Sequence, residues 1–190
     1  MEPRIQYAKT SDGVSIAYAI TGQGPPLVVC PRSLDQFSRQ VAAWHALMER
    51  LGKGRLGKGR LLVVYDGRGL GLSERNVKDF SLEARLRDLE AVVRAARIKR
   101  FALYATLFSG PVTIAYAARH PRQVSQLILY GTFSRGADVM PSERVDPLIE
   151  LCRSNWELAS QVFSARVAAV TGGDGPSSFP ASSSPIGHGG

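Results

Sequence analysis

The chain reads as an α/β protein built on a largely parallel sheet, and three observations predict that. Two strand-like segments, residues 5–9 and 14–20, flank a turn containing Ser11-Asp12-Gly13, a hairpin signal. Four short apolar runs follow, at residues 27–30, 61–65, 101–105 and 127–130. They are continuous rather than alternating, as strands buried on both faces are. Helical spacing separates most of them, and strand–helix alternation is the pattern of a parallel sheet.

Each helix has its own warrant. In residues 36–51, Phe37, Val41, Trp44, Leu47 and Leu51 share a face. Ser81 is placed to cap the next helix, whose stripe is Leu82, Leu86, Leu89, Val92 and Val93. Arg85, Arg87, Asp88 and Glu90 are expected to lie mostly outward. Residues 112–119 are mostly apolar all round, as suits a helix packed centrally, and His120-Pro121 stops it. Residues 146–170 read as one or two helices. From Thr171 onward Gly, Ser and Pro dominate, a composition that cannot bury a core and is expected to be disordered. The expected organisation is a core over residues 1–140, a partial helical segment over 141–170 and a tail over 171–190.

Composition excludes several classes. Hydrophobic content of 44% and charged content of 21% are ordinary for a globular domain. No apolar run approaches the ~20 residues of a membrane helix, and the first residues hold no apolar signal core. A cytoplasmic protein with no membrane association is expected. Cys30 and Cys152 lie far apart and are read as two buried free thiols. No cofactor or metal site is expected. The net charge is +8, but Lys53, Arg55, Lys58 and Arg60 come from a Leu-Gly-Lys-Gly-Arg segment repeated over residues 51–60. The remaining charge is dispersed along the chain, without the aromatic interleaving that stacks bases, so no nucleic-acid partner is expected.

The motifs resemble a known family. Asp66-Gly67-Arg68-Gly69-Leu70-Gly71-Leu72-Ser73 after an apolar run resembles the D-x-R-G-x-G-x-S loop of α/β-hydrolases. Residues 115–121, with Val124 and 127–130, resemble the helix and strand after the nucleophile of that family. Residues 10–18 resemble its opening hairpin. The chain is most similar to the hydrolase-like domains found alone or fused to adenylate cyclase and LuxR-type regulators. The resemblance implies a mostly parallel sheet with an N-terminal antiparallel hairpin. It also implies C-terminal truncation, since the family continues past a cap to further strands, which bear its acid and histidine. The tail resembles nothing in the family and is open to reading as an out-of-frame terminus.

The resemblance also locates the site. The strained G-x-S-x-G turn that presents a serine in such hydrolases corresponds here to Ala105-Thr106-Leu107-Phe108-Ser109. Leu107 occupies the nucleophile position, and its side chain has no atom that attacks a carbonyl. Making Ser109 the nucleophile would put Leu107 and Pro111 where the turn needs small residues. Ser109 is instead expected in the first turn of the helix. Thr106, one place before the apex, is expected to bond to backbone. Asp138 is a weak candidate acid, and His188, in a Gly-His-Gly-Gly stretch with no preceding strand, a weak candidate base. His120 is expected to cap a helix and His45 to lie on a surface or at an interface. Asp66 is expected to fix its own turn, within the structural motif of Arg68, Gly69, Gly71 and Ser73. The oxyanion region would combine Pro31, Arg32, Leu107 and Phe108, and Pro31 has no N–H to donate.

The expected function is therefore an α/β-hydrolase-like protein without measurable hydrolase activity. It would bind a small apolar ligand or dock on a partner, with homo-oligomerisation through the bare sheet edge at residues 127–130. The alternative is an active hydrolase of a carboxylic ester or lactone with an unrecognised nucleophile.

Overall fold

The structure is a computed structural model that describes residues 4–30, 59–139 and 142–171. The expected helix over 36–51, most of the duplicated segment and the tail lie outside these residues. The chain divides into two compact units, residues 1–135 and 136–190.

Among the described residues the first unit holds one six-stranded sheet in the order β1-β2-β4-β3-β5-β6. The strands are β1 (Ile5–Lys9), β2 (Ser15–Thr21), β3 (Pro26–Val29), β4 (Leu61–Tyr65), β5 (Phe101–Leu107) and β6 (Val124–Thr132). The β1–β2 hairpin is antiparallel, with Tyr7 opposite Ala17, and β2 joins β4 antiparallel. Pairings β3–β4, β3–β5 and β5–β6 are parallel. The hairpin turn is made by Gly13 at φ 87°, a conformation open to glycine at little cost. Helix α1 (Leu82–Ala95) joins β4 to β5, and α2 (Gly110–Arg119) joins β5 to β6.

The core lies between the sheet and these helices. Ile16, Val28, Val63, Leu89, Val92 and Leu103 are fully buried in it. The Ser81 side chain caps α1 by accepting from the Ala84 N–H. The predicted stripe is buried except at Leu82, which is 42% exposed in the first turn.

One expectation about α1 is corrected. Asp88 was expected outward but is 1% exposed. It is drawn inward by Arg68, whose backbone N–H and Nε each donate to its carboxylate at 3.0 Å. A buried charge must be paired, and this one is. The cysteine expectation holds by half: both thiols are free, Cys30 buried and Cys152 only partly so.

Strand β6 departs from the reading of its apolar run as buried on both faces, and agrees with the expectation of a bare sheet edge at residues 127–130. It is the sheet's edge, and Leu127, Ile128, Leu129 and Tyr130 are 39–71% exposed.

The second unit holds α3 (Gly136–Val139), α4 (Ser142–Ser154) and α5 (Trp156–Thr171). Where one or two helices were expected, α4 and α5 are separate and pack on each other. Asn155 breaks them and caps α5, its side chain accepting from the Leu158 N–H at 3.0 Å.

Candidate functional site

Parallel strands place their carboxyl ends together, and loops there are where such sheets bind ligands. Three segments meet that edge here: residues 66–80 after β4, 107–109 after β5, and 133–135 after β6.

The first is a rigid frame. The Asp66 carboxylate accepts from the Leu72 N–H at 2.8 Å, as expected for a residue that fixes its own turn. A methyl group at Gly71, which holds φ 49°, would collide with that carboxylate. Ser73 Oγ donates to the Asp66 carbonyl at 2.7 Å and accepts from the Ala17 N–H at 2.8 Å, stitching the loop to β2. Arg68 runs beneath. Its Nη1 and Nη2 donate to the two Asp12 carboxylate oxygens at 2.9 and 3.1 Å, tying the hairpin turn to α1 through Asp88.

The electrostatics of this trio follow from exposure. The hydrogen bonds from Arg68 are the largest influence on Asp12, and hold its carboxyl well below the usual range. Asp88 is raised above its ordinary value, because burial outweighs its bonds to Arg68. Burial opposes the Arg68 charge, but its bonds to Asp12 and Asp88 prevail and keep it ionised. The trio is structural, since Arg68 and Asp88 are buried against each other and Asp12, at the surface, is bonded to Arg68.

The second segment has the backbone of a nucleophile elbow. Leu107 ends β5 at φ 49°, one of two non-glycine residues with positive φ among those described. The β5–β6 ladder slips at this point: Thr106 faces Tyr130, whereas Leu107 faces Thr132. Gly131, at φ 55°, takes up the extra residue. Thr132 Oγ1 donates to the Leu107 carbonyl. The Ser109 N–H returns to the Thr106 carbonyl at 3.1 Å, closing the turn, and α2 starts at Gly110 with Pro111 in its first turn. A methyl group at Gly110 would meet Thr132 and Phe133, so the close approach of helix and strand requires glycine there. Leu107 is 40% exposed at the apex, and Phe108 is 49% exposed with its ring edge-on to Phe133 at 5.8 Å.

The other candidates fall as follows. Ser109 is buried: its Oγ donates to the Thr106 carbonyl at 2.7 Å and accepts from the Thr106 N–H at 3.0 Å. Thr106 is buried as well. His120 follows the last residue of α2, packs its ring on Tyr116 at 4.4 Å, and has Nε2 3.5 Å from Glu90. Ten helical residues separate it from the elbow, about 15 Å along the axis, far beyond the reach of a general base. The Asp138 backbone lies in α3, and its side chain is not among those described. Pro31, Arg32, His45 and His188 lie outside the described residues.

Cys30, read from the sequence as a buried free thiol, lies at the same edge of the sheet. It follows β3 directly, and its N–H donates to the Tyr104 carbonyl at 2.9 Å on the elbow strand. Burial pushes its thiol up to about 11, so it is not a thiolate at neutral pH. Among the described residues no three His, Cys, Asp or Glu side chains form a metal-binding group, and no helix is long and apolar enough to cross a membrane.

No family's sequence model matches the chain. It is 27% identical over 148 residues to the cis-3-alkyl-4-alkyloxetan-2-one decarboxylase of Shewanella oneidensis, covering 75% of this chain and 43% of that protein. Among solved structures it resembles an esterase from Exiguobacterium antarcticum, with a TM-score of 0.69 and 20% identity over 84% of this chain and 59% of that one. It also resembles a bromoperoxidase from Bacillus anthracis, with a TM-score of 0.68 and 16% identity over 85% and 59% of the two chains. The chain thus spans less than two thirds of the length of these relatives. Sheet order, elbow geometry and these likenesses agree that the fold is that of the α/β-hydrolases.

Proposed function

We propose that this chain is a non-catalytic member of the fold, one that keeps the elbow and presents an apolar surface on it. The observation that carries this reading is Leu107, an exposed aliphatic side chain at the strained apex where a reacting oxygen would stand. Leu70, Leu72 and Phe108, also exposed at the carboxyl edge, extend that surface. An apolar surface with little polar chemistry suits a small apolar ligand or a docking partner. A regulatory role, by analogy with hydrolase-like domains joined to output modules, is consistent with such binding. A second copy of the chain, pairing along the exposed edge of β6, is the partner this reading favours.

The competing reading is an active hydrolase of a carboxylic ester or lactone. The oxetanone named in the Shewanella relative is a lactone ring, which keeps that substrate class in view. What weakens it is that Ser109 is engaged on its own turn and His120 lies at the far end of α2.

A fluorophosphonate probe, which labels an activated serine, tests the reading on folded protein. The expected result is no adduct by mass spectrometry. An adduct on Ser109 or any other serine would replace this proposal with a serine hydrolase.

A further inference from the structure

The charge excess is dispersed along the sequence, but the strand order gathers part of it at one place. Leu61 of β4 is level with Pro26 of β3, and the pairing of Leu27 with Ala102 puts Phe101 of β5 at that same level. Phe101 in turn faces Val124 of β6. The residues entering these strands therefore line the amino-terminal edge of the sheet, opposite the elbow. Arg60 precedes β4 and is the last residue of the duplicated segment. Lys99 and Arg100 precede β5. Arg122 lies two residues before β6, and the Phe101 N–H donates to the Gln123 carbonyl at 2.9 Å, joining the two loops. Arg97 lies in the same loop as Lys99.

Arg97, Lys99, Arg100 and Arg122 are exposed and Arg60 is partly buried. None of the five forms an ion pair with a described residue. From Ala91 to Ala137 the chain has no acidic residue at all. The acids Asp12, Asp66, Glu74 and Asp79 are held at the other end of the sheet, through Arg68, Leu72, Ser15 and Ser81. Glu90 lies toward this edge and is turned to His120 at 3.5 Å. A helix C-terminus favours one nearby cation, and Arg97 could serve there. It does not account for the other four.

We propose that this edge is a docking surface for the phosphodiester backbone of a nucleic-acid duplex, bound without regard to sequence. Four of the five cations are arginines, whose planar fork suits phosphate oxygens. The row crosses three strand spacings, about 14 Å. A duplex carries one charge per ~1.7 Å of axis, so roughly eight phosphate charges lie within that length of duplex. Base stacking is not expected, because no large aromatic or aliphatic side chain is exposed among the described residues of these loops. That same absence disfavours a bilayer, into which nothing here would insert.

The test is fluorescence anisotropy of the full chain with a labelled 20-base-pair duplex of arbitrary sequence, titrated with salt. Binding is expected at 50 mM salt, with a log–log slope near −4.5 if all five cations displace counterions. The double substitution Arg100→Gln with Arg122→Gln should make the slope shallower by about 2. Arg75→Gln with Arg85→Gln, an equal charge change at exposed positions toward the other end, should leave it unchanged. If the first pair perturbs folding, Arg97→Gln with Lys99→Gln takes its place. No binding at 50 mM salt overturns the proposal. Equal slopes for the two pairs overturn it too, because the attraction would then be diffuse net charge. Binding to phosphatidylserine vesicles but not to the duplex, lost with Arg100 and Arg122, would make the edge a membrane surface instead.

Discussion

Ser109 spends its hydroxyl on Thr106: the same oxygen accepts from the Thr106 N–H at 3.0 Å and donates to the Thr106 carbonyl at 2.7 Å. The bridge is buried and closes the turn that carries Leu107. Ser109→Ala should therefore destabilise the protein by about 1–3 kcal/mol, the cost of a buried amide left without a partner. Urea denaturation would measure it. An unchanged midpoint would mean the turn is held without the bridge.

Leu107 bears a conformational cost of about 1–2 kcal/mol at φ 49°. Leu107→Gly relieves it while giving up a side chain that is already 40% exposed. Stability should stay level or rise by up to ~1 kcal/mol. Leu107→Val should fall, since branching at Cβ worsens the left-handed conformation. A loss with glycine as large as that with valine would sink the strain assignment.

Leu107→Ser restores an oxygen at the apex without supplying a base. Turnover of p-nitrophenyl acetate should remain at background, as a serine needs an adjacent base to attack. Hydrolysis above background would reveal a histidine or other base within reach of the elbow.

Arg68 links the hairpin turn to α1, and removing one partner leaves a buried charge. Asp88→Leu should cost about 3–5 kcal/mol, seen as a lower melting temperature. The pH dependence has a defined sign. The Asp12 carboxyl lies below its ordinary value because Arg68 bonds its ionised form. Its contribution is present above pH ~4 and is lost as pH falls below that. Asp88 is shifted the other way, by burial, and partly offsets the loss. Asp12→Asn should be less stable than the parent at pH 7, and the gap should narrow as pH drops toward 2. A constant gap would rule out the ionised pair as its source.

Strand β6 has no charged residue and no proline, the usual guards of an edge. Leu129→Lys should shift the protein toward monomer in sedimentation velocity if copies pair there. An assembly unaffected by the lysine would place the interface elsewhere.

What the sequence by itself determined was largely local. The continuous apolar runs announced parallel strands, Ser81 announced a cap, and the order of motifs announced the sheet. Asp66 was legible because a carboxylate followed by Gly-x-Gly-x-Gly is a turn that bonds itself. The elbow was legible because a strand, a short turn and a helix are contiguous in the order the resemblance implies, and Leu107 could be read at its tip. Asp88 could not be read correctly, because helical periodicity assigns a charged residue outward unless its partner is known. That partner, Arg68, lies twenty residues away and reaches it only after β4 and α1 pack. The bare edge at β6 was expected only through the resemblance, since an apolar run by itself does not say whether a neighbour covers it. The strand order places β6 at the edge, and that same order collects Arg60, Arg100 and Arg122 from distant segments. Periodicity records what each element does with its own neighbours in sequence; burial of a charge, an open edge and a shared surface are set by contacts between elements, which only the tertiary structure brings together.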